Sequence, residues 1–216
     1  EIRQLQDQGL DGQGVRICMV DTGFSPSHPA FEDFEIVFKD MVGDSKEPVD
    51  YGNVGHGTMM AGLLISQSHQ IGIAPNVTLA VVAALSDNGD GVNSGEESVV
   101  ADAIRWCHQE FNADIISLSL GGQQKPDSER EGASVSATRM AVDSGIFVVA
   151  AAGNDGGLDD DGTVSAPANV ARVITVGATT RGGGIWSNSS IGSQLTETEN
   201  PRQNPNLKPE IVSPGH

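Results

Sequence analysis

Three side chains in this 216-residue chain are of the types that acyl transfer uses. Asp21 follows the short apolar run 15–20. His56 stands between two glycines in Gly55-His56-Gly57-Thr58. Asn154 follows Ala151-Ala152-Gly153 at the end of another apolar run. Attack on a carbonyl needs a nucleophile, a base for its proton and donors for the oxygen that turns negative. Histidine is the natural base, because its ordinary pKa lies near neutrality. A carboxylate must then fix its tautomer and stabilise the imidazolium. Asp21 can do that for His56, and the Asn154 amide can donate to the oxyanion. Each motif also has a plain structural use, since Asp-Thr-Gly and Gly-Asn-Asp-Gly make turns and His-Gly pairs occur in many loops. The three together carry the chemical reading.

The elements that must hold these residues follow from pattern. Residues 15–20 are short, apolar and β-rich, which predicts a buried strand with Asp21 at its C-terminal end. Ligands of open parallel sheets bind in the crevice at that end. Residues 58–66 predict a helix continuing from His56, with Met60, Leu63 and Leu64 inward. Further strands are expected at 78–85, 114–120, 146–152 and 173–178. Ser94-Gly95-Glu96-Glu97 reads as a capping box for a helix whose inner stripe is Val99, Val100, Ala103, Ile104, Cys107 and Phe111. Another helix runs to about Ser144, with Ala133, Ala137, Met140 and Ala141 inward and Gly145 as its stop. Residues 32–54 read as an irregular surface stretch. Strands and helices alternate through short connections. That pattern predicts an α/β fold of three layers, a doubly wound, mainly parallel sheet with helices on both faces.

Composition excludes several classes. The net charge is −17, so no nucleic-acid partner is expected. No run is long enough to span a membrane. The chain begins at Glu1, which leaves room for a removed leader, and the compartment stays open. Cys18 and Cys107 read as small core residues, and sequence cannot show whether they are close enough to bridge. Gly12-x-Gly14 precedes its strand and lacks a third glycine, so it is no dinucleotide loop. Asp87-Asn88-Gly89-Asp90-Gly91 fails the calcium-loop register. His28, in Ser25-Pro26-Ser27-His28-Pro29, reads as a loop residue bonding nearby backbone.

In this order, Val20-Asp21-Thr22-Gly23, Gly55-His56-Gly57-Thr58-Met59-Met60-Ala61-Gly62 and Ala151-Ala152-Gly153-Asn154 resemble the subtilisin-like serine proteases, or subtilases. Ser117-Leu118-Ser119-Leu120-Gly121-Gly122 resembles the family's strand lining the substrate side-chain pocket. Ala151-Ala152-Gly153 resembles the other pocket wall, and Gly89-Asp90-Gly91 the edge segment that pairs with substrate backbone. Residues 173–178 and 208–215 also match, so the likeness runs from about residue 9 to residue 215. It implies a serine endopeptidase acting on a polypeptide substrate. Asp21 and His56 would serve in the triad and Asn154 in the oxyanion hole. Ser119, Leu120, Gly121, Ala151, Ala152, Gly153, Gly89, Asp90 and Gly91 would bind substrate.

The family's Gly-Thr-Ser motif does not occur within residues 1–216. Gly162-Thr163-Val164-Ser165 imitates it, but Ser165 follows Asn154 too closely and lies just before the 173–178 strand. The nucleophile is therefore expected beyond residue 216, on a C-terminal segment or a companion fragment. Residues 1–216 would then form a single catalytic domain without that segment. The alternatives are a non-catalytic binding or regulatory domain of the same type, or an inactive fragment. Many subtilases carry a calcium loop after the histidine helix. Here 66–75 is short and Ser68-His69-Gln70 offers no carboxylate, so no cofactor is expected and no calcium site is recognisable. Asp155, Asp159, Asp160 and Asp161 read as a solvated acidic loop, with calcium binding or a preference for basic substrate side chains as the alternatives.

Overall fold

A computed structural model describes residues 2–31, 34–67, 72–123, 131–158, 161–194 and 207–215. It divides into two compact units, Glu1–Ile116 and Ser117–His216. In the first, helix α1 (Ile2–Gln6) precedes strand β1 (Arg16–Asp21), β2 (Val37–Asp40), helix α2 (His56–Ile65) and β3 (Thr78–Ala83). A hairpin of β4 (Ser86–Asp87) and β5 (Asn93–Ser94) leads into α3 (Glu97–Gln109) and β6 (Ile115–Leu118). The second unit holds α4 (Ala133–Asp143), β7 (Phe147–Ala151), β8 (Ile174–Thr179), β9 (Gly192–Ser193), β10 (Leu207–Lys208) and β11 (Ile211–Pro214). Among the described residues, the first unit lays its strands in the order β1-β3-β2 and the second in the order β11-β8-β7.

β1 is buried on both sides from Ile17 to Asp21, as an apolar parallel strand covered on two faces must be. It pairs in parallel with β3, Cys18 opposite Ala80 and Asp21 opposite Ala83. Strand alternation sends neighbouring side chains to opposite faces. Ile17 and Met19 pack in one cluster with Ala61 and Ile65 of α2 and Leu79 and Val81 of β3. Cys18 points the other way and is bridged to Cys107 of α3. The first unit thus has a helix on each face of its strands, and the expected three-layer α/β fold is the one observed. In the second unit β7, β8 and β11 run parallel, with Val149 opposite Ile174 and Ile211 opposite Val176, and α4 packs on β7.

Several elements depart from the sequence reading. β2 lies in the stretch read as irregular and pairs in parallel with β3, Val37 opposite Ala80. In α2 the buried face is Gly57, Ala61 and Ile65, while Leu63 is 60% exposed. In α4 Val135, Thr138 and Val142 are buried and Met140 is exposed. Helix α3 starts at Glu97 after Glu96, and Ser94 belongs to β5, so no capping box forms. β11 is a strand that the sequence reading did not predict. Pro214 is compatible with it, because it is the last residue of a strand that lies at the sheet edge among the described residues.

Among its described residues the second unit buries an ion pair. Lys208 is only 2% exposed. Its Nζ donates to the Val173 carbonyl at 2.7 Å and to Glu210 Oε1 at 2.8 Å. Glu210 Oε2 accepts the Thr175 N–H at 2.8 Å. Burial pushes the Glu210 carboxyl up, but the Lys208 ammonium and the Thr175 N–H outweigh it and hold the group below the usual range. Lys208→Met is expected to destabilise the protein by about 3 kcal/mol, since it leaves a partly buried carboxylate without its cation. Urea unfolding at neutral pH checks this. A depressed carboxylate stabilises above its unfolded pKa and loses that contribution as pH falls through its folded pKa. The gap between the two proteins should therefore narrow in acid. A constant gap would count against the ion pair as its cause.

Candidate active site

The first unit brings Asp21 and His56 together. Asp21 is the last residue of β1 and is wholly buried. His56 is the first residue of α2, and Val54 and Gly55 before it both take positive φ, at 53° and 65°. That left-handed pair turns the chain sharply into the helix. The helix then sits directly on the backbone that follows β1. A methyl at Gly57 would lie 2.1 Å from the Gly23 carbonyl oxygen, so only glycine permits the approach. The Gly57 N–H, one of the unpaired donors of a first helical turn, is taken by Thr22 Oγ1 at 2.9 Å.

In this arrangement His56 Nδ1 lies 2.7 Å from Asp21 Oδ1. The Thr22 N–H donates to the same oxygen at 2.7 Å, which fixes the carboxylate plane. Asp21 Oδ2 is buried and accepts no hydrogen bond among the described residues. The His56 side chain is 31% exposed, so one edge of the ring meets solvent. With Nδ1–H engaged by the carboxylate, Nε2 is the nitrogen left to take a proton. The hydrogen bond that Nδ1–H donates to Asp21 raises the imidazole above its ordinary pKa, against burial, which lowers it, and with the negative charges of Asp21 and Asp50 adding to the rise.

Gly89, Asp90 and Gly91 form the exposed loop of the β4–β5 hairpin. Asp87 Oδ1 accepts the N–H groups of Gly89 and Gly91 at 2.9 and 3.2 Å. The hairpin is tied to the loop that precedes His56. Asn53 Nδ2 donates to the Gly91 carbonyl at 2.8 Å, and its N–H to Asn93 Oδ1 at 2.7 Å. Asn53 carried no signal in the sequence, because a single Asn in a polar stretch looks like any turn residue. His28 is a loop residue, its Nδ1 accepting the Ala30 N–H at 3.2 Å and its ring lying against Phe31.

The second unit holds Asn154 and the expected pocket walls. Asn154 is exposed in a loop after β7 that Ser190 clasps on both sides. The Ser190 N–H donates to the Gly153 carbonyl at 3.1 Å, and Ser190 Oγ accepts the Asp155 N–H at 2.9 Å. Gly121 and Gly153 both abut Ser165. A methyl on Gly121 would lie 2.6 Å from Ser165 Cβ, and one on Gly153 would lie 2.3 Å from Ser165 Oγ. The Ser165 N–H is held by the Ala152 carbonyl at 2.8 Å, and Gly122 and Ala166 exchange two backbone bonds at 3.0 and 2.8 Å. Ser119 and Leu120 are partly buried on the approach to Gly121, Ala151 is exposed and Ala152 is buried. Residues 68–70, 159 and 160 lie outside the described residues. Among the described residues no cluster of His, Cys, Asp or Glu is placed to hold a metal ion, and no helix is long and apolar enough to cross a membrane.

A three-layer α/β fold with a buried aspartate at a strand end, paired to a histidine that opens a helix, defines a scaffold suited to acyl-transfer chemistry. The model of the subtilase family matches residues 12–216, and the chain belongs to that family. It is 34% identical over 195 residues to subtilisin DY of Bacillus licheniformis, covering 89% of this chain and 66% of that protein. It is 36% identical over 220 residues to the serine protease AprX of Bacillus subtilis strain 168, covering 96% of this chain and 48% of that protein. Among solved structures, a cold adapted subtilisin-like serine proteinase superposes with a TM-score of 0.72 at 31% identity, over 95% of this chain and 64% of the other. The chain thus spans between about half and two thirds of the relatives it matches.

Proposed function

We propose that the protein is a serine endopeptidase that hydrolyses peptide bonds through an Asp-His-Ser triad. Asp21 and His56 supply two members, and the serine lies beyond residue 216 or on a companion fragment. The observation that carries this reading is the 2.7 Å contact between His56 Nδ1 and Asp21 Oδ1. The serine hydroxyl attacks the peptide carbonyl as His56 Nε2 takes its proton. The imidazolium so formed is stabilised by Asp21 and returns the proton to the leaving amine. The Asn154 amide donates to the oxygen of the tetrahedral intermediate. Ser119, Leu120, Gly121, Ala151, Ala152 and Gly153 line the substrate side-chain pocket, and Gly89, Asp90 and Gly91 present backbone to the extended substrate.

The test is to treat the full-length protein with a fluorophosphonate serine probe and locate the adduct by mass. One labelled serine outside residues 1–216 is expected, and His56→Ala should lower its labelling rate by about 10³-fold or more. A folded protein that takes no label is a binding or regulatory member of the family. A label on Ser165 would move the nucleophile into the pocket loop and overturn the assignment.

A further inference from the structure

We propose that Asp50 is a positioning residue for the Asp21–His56 pair, a single carboxylate that clamps the chain after β1 to the first turn of α2. Asp50 lies in the loop before the helix and is partly buried. Its Oδ1 accepts the Thr22 hydroxyl at 2.6 Å and the Gly52 N–H at 2.9 Å. Its Oδ2 accepts the Thr58 N–H at 2.8 Å and the Thr58 hydroxyl at 2.5 Å. Four donors use about the full acceptor capacity of an ionised carboxylate. Thr22 is the neighbour of Asp21, and Thr58 is two residues past His56. Each member of the pair is thus one or two residues from a threonine held by the same carboxylate.

The clamp is braced from both sides. The Thr22 hydroxyl also accepts the Gly57 N–H at 2.9 Å, and the Thr58 hydroxyl accepts the Ser25 N–H at 3.0 Å. Gly23 and Asp50 form an antiparallel bridge, with the Phe24 N–H donating to the Val49 carbonyl and the Tyr51 N–H to the Thr22 carbonyl. An asparagine could not substitute. It has one acceptor oxygen, and its NH2 group would face donors at the other position.

Asp50 also acts through its charge. Burial pushes its carboxyl up, but hydrogen bonds from Thr22, Thr58 and Gly52 outweigh this and hold it below the usual carboxylate range. The charged groups that act on His56 are Asp21 on β1 and Asp50 in the loop, and both raise the imidazole. Loss of the Asp50 charge alone lowers the imidazole through space, whereas loss of positioning also weakens the Nδ1 proton signal and kcat, and does so in the charge-neutral Thr58→Val as well. This difference separates positioning from the effect of charge.

The proposal rests on the proteolytic reading only in its kinetic arm. In the full-length protein, Asp50→Asn and Asp50→Ala are compared with Thr58→Val, which removes one hydroxyl donor and keeps the backbone one. Histidine titration and the downfield Nδ1 proton are followed by NMR, and kcat and KM are measured on a peptide ester. Expected for Asp50→Asn are a lowered His56 pKa, a weakened Nδ1 proton signal and a loss of about 100-fold in kcat, with KM changed by less than about threefold. Thr58→Val should move all three readouts the same way by less, and it decides the matter if the Asp50 variants do not fold. Folded variants with unchanged titration and an unchanged Nδ1 proton overturn the proposal. If the wild type cleaves nothing and the Nδ1 proton signal still weakens in the Asp50 and Thr58 variants, the positioning role stands and the protease reading fails.

Discussion

Asp21→Asn is expected to lower kcat by about 10⁴-fold while leaving KM nearly unchanged. The size follows from how much that one oxygen does. Asp21 Oδ1 accepts from both the Thr22 N–H and His56 Nδ1, each at 2.7 Å. An asparagine with its oxygen toward Thr22 holds the ring only if that same oxygen still reaches Nδ1, and it carries no charge to meet the imidazolium. With its NH2 toward His56, it selects the tautomer whose proton sits on Nε2, which cannot act as a base. Either orientation removes stabilisation that exists only once His56 is protonated, so the loss falls on kcat. The pH profile adds an independent check. His56 works as a base when neutral, and its pKa is raised first by the Asp21 hydrogen bond. Activity should therefore fall as pH drops through a value above the ordinary histidine range. Residual activity of the variant should persist to lower pH, because the group that raised the imidazole is gone. Retention of kcat within about tenfold would show that His56 does not depend on this carboxylate.

The pair was legible in sequence because both residues sit where a pattern changes. Asp21 ends a run apolar enough to be a strand buried on two faces, and His56 lies between glycines at the start of a helical run. What was not legible depended on direction or distance. α2 carries Met59, Met60, Leu63 and Leu64 around much of its circumference, so apolar content does not point to a face. The helix instead buries its small residues, Gly57 and Ala61, because the chain after β1 lies so close that Gly23 would touch a methyl at position 57. β2 was hidden because its four residues are half exposed and lie within an acidic stretch. Asp50 and Asn53 sit in that same region, and what distinguishes them is which groups reach them from positions 22, 58, 91 and 93. The apolar surroundings of the two cysteines predict core positions for both, but bringing them together requires the register of α3 on β1. That step is tertiary, and a single sequence does not contain it.

The disulfide carries the second large prediction. Cys18 and Cys107 are wholly buried, 89 residues apart in sequence and 5.6 Å apart at Cα, and they tie β1 to α3. A cross-link closing a loop of that length removes chain entropy from the unfolded ensemble worth about 4.6 kcal/mol at room temperature. The bridge should matter most to the candidate site because β1 also ends in Asp21, so a chain that frays at β1 loses the carboxylate that holds His56. Replacing both cysteines by alanine is expected to lower the unfolding free energy by about that amount. The drop should appear as a shift of the urea midpoint. Comparing oxidised with reduced protein of the same sequence separates the cross-link from the lost packing of two sulfurs. Such a bond persists in an oxidising compartment. Protein denatured and alkylated at the moment of extraction from its source should therefore leave Cys18 and Cys107 unlabelled, and both should label once reduced. Labelling of Cys18 and Cys107 before reduction, or equal urea midpoints with and without reductant, would mean that α3 is held on β1 by packing alone.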